Sequence, residues 1–184
     1  MKVIIKDLSL GYNEIILENL NFEIPTGSVF SLLGNSGIGK TTLIYTMAGL
    51  LKPLSGEIIN MPKRLSVLFQ EDRLFESFKV HDNISAYNDR LTVAEIESAL
   101  ERVGLGGIRK LKIGELSGGM KRRVAIVRTM LMESDLILMD EPFSGIDEEN
   151  RKKTLDFIME EKKERGIIFS SHSPIGIEDD YIVL

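Results

Sequence analysis

The segment GNSGIGKTT, residues 34–42, constrains the fold of this chain more than any other part of the sequence. An apolar run, VFSLL, precedes it, and residues 43–48 follow it with helical character. Its glycines allow the backbone to bend so that successive N–H groups converge on one point, to which a helix N-terminus adds its positive end. The sequence therefore predicts strand, phosphate-binding loop and helix. The alternative, a glycine-rich turn that only connects a strand to a helix, does not account for the complete GxxxxGKT pattern.

Two side chains would complete this phosphate-binding loop. Lys40 can reach the β- and γ-phosphates of a nucleotide, and the Thr41 hydroxyl is placed to bind the Mg²⁺ that accompanies them. The residues predicted to hold the nucleotide here are Gly34, Asn35, Ser36, Gly37, Ile38, Gly39, Lys40, Thr41 and Thr42.

Length, charge and composition narrow the class of protein. A chain of 184 residues suits one domain with an insertion. The net charge of −5 argues against a nucleic-acid partner, and the absence of cysteine excludes disulfides and thiolate metal sites. No apolar run approaches the ~18 residues that span a bilayer, and the N-terminal apolar segment is too brief for a signal peptide. We therefore expect any membrane association to come through a partner.

The first 25 residues predict an antiparallel sheet of three short strands, at residues 2–7, 15–17 and 21–24. Turn signals lie at residues 11–13, after the first strand, and at residues 25–27, after the third. Tyr12 lies on the first turn, where it either covers a sheet edge or offers its ring to a nucleotide base by stacking.

A second apolar run, residues 65–69, predicts a buried strand with Gln70 at its carboxyl end. Ligands of open α/β sheets collect at that end, where an amide can contact a metal or a water, although an isolated Gln is more often a surface residue. Residues 71–115 lack the strand pattern and predict a helical insertion with helices at 80–87 and 92–103. Thr92 and Glu95 have the spacing of a capping box at the start of the second helix.

The motif LSGGM, residues 116–120, predicts the start of a helix that runs to about Met132. Two glycines at a helix N-terminus leave N–H groups bare beside the Ser117 hydroxyl, which would make a second anion site. The alternative is a helix-capping serine that follows a flexible entry turn. Local sequence leaves both interpretations open.

An apolar strand, residues 136–140, ends in two carboxylates, Asp140 and Glu141. Carboxylates at the end of a buried strand are costly unless a cation or hydrogen-bond donors meet them. The pattern brings Asp140 near the Mg²⁺ and Glu141 towards an attacking water. A helix at 147–165, a strand at 167–171 that presents His172 and a last strand at 181–184 follow.

Taken in order, the segments GNSGIGKT, Gln70, LSGGM, LILMDEP, Asp147 and His172 resemble the nucleotide-binding subunit of ATP-binding cassette (ABC) transporters. The resemblance covers almost the whole chain, and its most specific part is LSGG upstream of a strand ending in DE. It implies a P-loop NTPase fold, an α/β domain with a RecA-like, mostly parallel sheet flanked by helices. It also implies an antiparallel β N-terminal subdomain, a catalytic core at 1–70 and 116–184, and a helical insertion at 71–115.

The resemblance also implies a role for each matching position. Tyr12 stacks on adenine, Gln70 touches Mg²⁺ and the reactive water, and residues 71–83 face the membrane partner. Asp140 is the Walker B aspartate that serves the metal together with Thr41 and Gln70. Glu141 is the catalytic base, and His172 is the switch histidine that contacts the γ-phosphate. The signature residues Ser117, Gly118 and Gly119, with the D-loop Asp147, complete the site of a second subunit.

The function implied is hydrolysis of ATP, with Mg²⁺, by a head-to-tail homodimer on the inner face of the cell membrane. The subunit would drive transport, most similarly to importers of nitrate, sulfonates or taurine, with a separate permease and a solute-binding protein. Asn35 and Ile38 replace the family's usual Pro and Ser, and Met120 and Gly145 replace its frequent Gln and Ala. The alternatives are a stand-alone ABC-type ATPase that acts on nucleic acid or chromosomes and a P-loop kinase for a small substrate.

Overall fold

The computed structural model describes residues 2–184, which divide into two compact units. The first unit comprises residues 2–70, 134–141 and 164–184, and the second comprises residues 71–133 and 142–163. The strands are β1 (Lys2–Gly11), β2 (Ile15–Pro25), β3 (Val29–Leu33), β4 (Ser55–Ile59), β5 (Leu65–Leu68), β6 (Leu136–Asp140), β7 (Gly166–Ser171) and β8 (Asp180–Val183). The helices are α1 (Lys40–Met47), α2 (Val80–Ser85), α3 (Val93–Arg102), α4 (Gly118–Leu131) and α5 (Glu148–Glu161), with one 3-10 turn at Ile113–Glu115.

An antiparallel sheet in the order β2-β1-β4 forms the N-terminal part of the first unit. Its first two strands are long and continuous, so the prediction of three short strands is wrong. The strands bend instead of ending, because register shifts interrupt the pairing of β1 with β2 after Ile5 and after Leu8. Asp7 and Asn19 take positive φ angles of 48° and 58° at these irregularities. Bulges of this kind let β1 continue past residue 7 and β2 past residue 17, where the predicted strands end.

A parallel sheet in the order β5-β6-β7-β3-β8 forms the rest of the first unit. Every residue of β3 and β6 is buried, which explains their continuous apolar runs. In the pairing of β6 with β7, Asp140 stands opposite Ser170, and in the pairing of β3 with β7, Leu33 stands opposite Ser171. The carboxyl ends of these strands therefore meet at one edge of the sheet.

Helix α1 packs on both sheets, with contacts to β1, β6 and β7. The apolar cluster beneath it includes Leu43, Ile44 and Met47 from the helix and inward-facing residues of both sheets. This packing fixes the first turn of α1 close to the carboxyl edge of the parallel sheet.

The second unit is helical. Its predicted capping box is confirmed, since the Thr92 side chain accepts from the Glu95 N–H at 3.2 Å and Glu95 Oε2 accepts from the Thr92 N–H at 2.8 Å. Helix α4 spans nearly the predicted residues, whereas α2 and α5 end earlier than predicted, at Ser85 and Glu161. Among residues 2–184, no helix combines the length and apolarity that crossing a membrane requires.

The contact between Gly56 and the β1 bulge yields a stability prediction. Gly56 has φ of 75°, and an added Cβ would lie 2.2 Å from the Asp7 carbonyl oxygen. We expect Gly56→Ala to lower the free energy of unfolding by about 2–5 kcal/mol, because a left-handed residue and a clash with backbone both cost energy. Urea unfolding measures the change.

Gly49→Ala is the matched control, since Gly49 has a similar φ of 73° and open space where its Cβ would stand. Its free energy of unfolding should fall by about 1–2 kcal/mol, because only the left-handed backbone conformation of residue 49 disfavours alanine. Equal losses of unfolding free energy in the two variants would show that the β1 bulge causes no steric clash at residue 56.

Candidate active site

The phosphate-binding loop follows β3 and ends where α1 begins, as predicted. Gly37 and Gly39 have φ of 81° and 116°, both in the region that glycine alone adopts freely. A Cβ on Gly39 would lie 2.8 Å from Leu17 Cδ1 and 2.9 Å from Ile16 Cγ2. The glycine is therefore needed both for the turn and for the close approach of β2.

Lys40 is 4% exposed, and its ammonium lies inside the loop. Its Nζ donates to the carbonyl oxygens of Gly34 at 2.7 Å and Asn35 at 3.0 Å, and it lies 3.9 Å from Glu141 Oε1. The loop therefore holds the Lys40 side-chain nitrogen at its centre, with backbone carbonyl oxygens as hydrogen-bond partners. Asn35 and Ser36 are exposed at the tip of the loop, and Thr42 is buried beneath it.

Asp140 is fully buried, and hydroxyl groups bind both of its carboxylate oxygens. Thr41 Oγ1 donates to Asp140 Oδ2 at 2.7 Å, and Ser170 Oγ donates to Oδ1 in a short hydrogen bond. The structure therefore brings Thr41 and Asp140 into contact across 99 residues of sequence.

The Thr41 and Asp140 oxygens suit Mg²⁺, which binds hard oxygen ligands and usually takes only one or two from the protein, with phosphate and water oxygens completing six. Within residues 2–184, no group of three or more acidic or histidine side chains could hold a metal by itself. Two protein oxygens, one from Thr41 and one from Asp140, fit a metal that is bound together with a nucleotide.

Glu141 follows β6 in a left-handed conformation, with φ of 44°. Such a backbone costs on the order of 1–3 kcal/mol and persists where surrounding contacts enforce it. The Glu141 N–H donates to Ser170 Oγ at 2.9 Å, and Glu141 Oε1 lies 3.2 Å from His172 Nε2. The turn thus directs the carboxylate towards both His172 and Lys40.

Ser170 is the site residue that sequence analysis missed. It lies in an apolar strand, and its only signal is a hydroxyl at a fully buried position of β7. A buried hydroxyl indicates a role in the site only once the strand register places Ser170 opposite Asp140.

The remaining predicted residues of the first unit lie at its surface. His172 follows β7 with a side chain 55% exposed, and Gln70 follows β5 at the same carboxyl edge, also exposed. Tyr12 is 60% exposed on the turn between β1 and β2, so its ring is available for stacking.

In the second unit, Ser117 caps α4 by accepting from the Met120 N–H at 3.4 Å. Ser117 is therefore the N-cap of α4, and Ser117 and Gly118 are exposed at the helix N-terminus. Gly119 has no room for a side chain, because a Cβ would lie 2.8 Å from the Gly145 carbonyl oxygen.

Asp147 caps α5 in the same unit. It accepts from the backbone N–H and the side-chain amide of Asn150 at 3.0 and 2.8 Å. The hydrogen bond from the Asn150 side chain contributes most to lowering the pKa of Asp147 below its ordinary value, and the bond from the Asn150 backbone N–H adds to it. The residue is therefore an anion at neutral pH.

A glycine-rich loop around a buried lysine, with a hydroxyl and two carboxylates at the same sheet edge, defines a P-loop nucleotide-binding site. Residues 17–144 match the ABC transporter family, which is more than half of the chain. The chain therefore belongs to the ABC transporter family, as its ATP-binding, ATP-hydrolysing component.

Individual relatives support the same assignment. The chain is 40% identical over 158 residues to the intermembrane phospholipid transport system ATP-binding protein MlaF of Escherichia coli, covering 73% of this chain and 58% of MlaF. It is 36% identical over 169 residues to the aliphatic sulfonates import ATP-binding protein SsuB of Bacillus cereus, covering 85% and 67% of the two chains. A solved ABC transporter ATP-binding protein from Pyrococcus furiosus superposes with a TM-score of 0.91 at 35% identity, covering 100% and 98%.

The buried position of Lys40 leads to a binding prediction. We expect Lys40→Ala to weaken ATP binding by about 10- to 100-fold, because hydrogen bonds to charged groups contribute about 1.5–3 kcal/mol each. Titration with a fluorescent ATP analogue measures the affinity. Lys52→Ala removes an exposed lysine soon after α1 and is the control. Unchanged affinity in Lys40→Ala would contradict the assignment of the loop.

Proposed function

We propose that this chain hydrolyses ATP at the carboxyl edge of its parallel sheet, with Glu141 as general base. The observation that carries the proposal is the convergence of Lys40, Glu141 and His172, with Glu141 Oε1 within 3.9 Å of Lys40 Nζ and 3.2 Å of His172 Nε2. A general base needs to lie beside the groups that stabilise the negative charge developing on the transferred phosphoryl group.

In the proposed reaction, Glu141 accepts a proton from water as the water oxygen bonds to the γ-phosphorus and the bond to the ADP oxygen breaks. Lys40 would bind the β- and γ-phosphate oxygens, and His172, which contacts Glu141, would donate to the γ-phosphate. Thr41 and Asp140, with Gln70, would hold Mg²⁺, which neutralises charge on the phosphates. Tyr12 would stack on adenine.

The second half of the site is proposed to come from another copy of the chain. Ser117 and Gly118 are exposed where α4 begins, and a helix N-terminus with bare N–H groups attracts a phosphate. Gly119 is the next residue of α4, and Asp147 belongs to the same unit. The γ-phosphate held by one chain would bind the signature residues of its partner, so a head-to-tail homodimer closes around two ATP molecules and opens after hydrolysis.

We propose that this dimer powers a separate membrane permease from the cytoplasmic side, and that the system imports a small solute with a solute-binding protein. The likeness to SsuB, whose name specifies sulfonate import, supports import. Phe75 and Phe78 support a partner surface, since both rings are about half exposed and lie 5.7 Å apart in the segment 71–83. The proposed catalytic core remains 1–70 and 116–184, with residues 71–115 as the insertion that meets the permease.

Removal of the base tests the dimer and the chemistry together. We expect Glu141→Gln to abolish ATP hydrolysis, because an amide cannot accept the proton, and to retain ATP binding. The bound ATP then holds the dimer closed, so size-exclusion chromatography with ATP and Mg²⁺ should show a dimer.

Glu101→Gln, which changes an exposed glutamate of α3, is the control and should behave as the wild type. A Glu141→Gln protein that stays monomeric with ATP would refute the head-to-tail arrangement. One that hydrolyses ATP normally would refute the role of the base.

Metal removal tests the Thr41 and Asp140 pair. We expect EDTA to abolish hydrolysis and added Mg²⁺ to restore it, with Thr41→Ala requiring about 10- to 100-fold more Mg²⁺ for half-maximal rate. Thr46→Ala is the control, since the Thr46 hydroxyl bonds within α1 to the Thr42 carbonyl. Full activity in EDTA would contradict a metal at this pair.

A further inference from the structure

Ser170 links two consecutive residues of the proposed active site from a neighbouring strand. Its hydroxyl donates to Asp140 Oδ1 and accepts from the Glu141 N–H at 2.9 Å. Ser170 and Asp140 are both fully buried, so water does not compete for these hydrogen bonds.

The direction of each hydrogen bond is fixed by chemistry. A carboxylate only accepts and a backbone N–H only donates, so the single Ser170 hydrogen must go to Asp140 and its lone pair to Glu141. The serine therefore acts as a bridge that fixes the Asp140 carboxylate and the Glu141 peptide relative to each other.

The bridge acts on the most strained part of the site. Glu141 has φ of 44°, and a hydrogen bond to its N–H restricts rotation of the peptide that precedes its side chain. Asp140 has one oxygen held by Ser170 and the other facing Thr41 at 2.7 Å. We propose that Ser170 is a positioning residue for hydrolysis, which holds Asp140 towards Thr41 and Glu141 towards His172. This inference rests on the proposed role of Glu141 as the base.

The chain contains a matched serine outside the site. Ser66 is also fully buried, in β5 of the same sheet, and its hydroxyl hydrogen-bonds to that of Ser134 at 2.9 Å. Loss of the Ser66 hydroxyl removes one buried hydrogen bond and loss of the Ser170 hydroxyl removes two, so both variants should lose stability, Ser170→Ala more than Ser66→Ala. Of these two serines, Ser170 alone contacts Asp140 and Glu141. A comparison of their alanine variants therefore separates an effect on positioning from an effect on general stability.

The test compares Ser170→Ala with Ser66→Ala in steady-state ATP hydrolysis, urea unfolding and binding of a fluorescent ATP analogue. We expect Ser170→Ala to lower kcat by about 10- to 100-fold, as is typical when the partner of a site carboxylate is removed. KM and the affinity for the analogue should change less than about threefold, because the substrate itself loses no contact. Ser66→Ala should retain kcat, with a smaller shift of the unfolding midpoint than in Ser170→Ala.

Two further variants keep the inference testable if Ser170→Ala does not fold. Ser170→Thr keeps the hydroxyl and should retain more of kcat than Ser170→Cys, whose thiol is a weak donor and acceptor. Equal kcat values in Ser170→Thr and Ser170→Cys would overturn the inference. A kcat in Ser170→Ala that is no lower than in Ser66→Ala would also overturn it. A raised KM with unchanged kcat would also overturn it, because it would make Ser170 a contributor to substrate binding.

Glu141→Gln, assayed in parallel, separates this inference from the proposed function. If Glu141→Gln is inactive while Ser170→Ala matches Ser66→Ala, only the role of Ser170 fails. If Glu141→Gln hydrolyses ATP at the normal rate, the base assignment fails, whatever the Ser170 result.

Discussion

The parallel register of β3, β6 and β7 is the constraint on which the site depends. It aligns Leu33 with Ser171 and Asp140 with Ser170, so three segments distant in sequence end at one edge of the sheet. The phosphate-binding loop leaves from the first strand, the carboxylate pair from the second and His172 from the third. A one-residue slip of any strand would turn these side chains to the opposite face.

Burial gives these groups their chemical character. The side chains of Lys40 and Asp140 are almost or fully excluded from water, and each has oxygen or hydroxyl hydrogen-bond partners. In a medium of low dielectric constant, fixed partners of this kind act more strongly on an arriving phosphate than they would at the surface. The same burial explains why the strands read as apolar runs that end abruptly in polar residues.

In the second unit, hydrogen bonds connect the segment after Gln70, the helix α4 that begins at the signature residues, and the turn after Glu141. Arg122 lies in α4, close to the signature residues, and reaches Asp72 Oδ1 at 3.2 Å and the Pro142 carbonyl at 3.1 Å. Arg128, one and a half turns later, donates to the carbonyls of Asp72 and Arg73, both at 2.8 Å. The segment after Gln70 and the turn after Glu141 are thereby tied to the helix that begins at the signature. These buried arginines give the unit a polar interior that its helical pattern alone does not indicate.

The sequence by itself determined the order of the elements after residue 25, the phosphate-binding loop, the capping of α3 and the residue types of the candidate site, because each depends on residue types at short, fixed spacings. Only the tertiary structure decided that β1 and β2 run through their bulges, that Glu141 is left-handed, and that Ser170 belongs to the site. Bulges and φ angles depend on neighbouring strands, and the partner of Ser170 lies 30 residues away in sequence. A hydrogen bond between strands is set by their register, and no local pattern in either strand encodes that register.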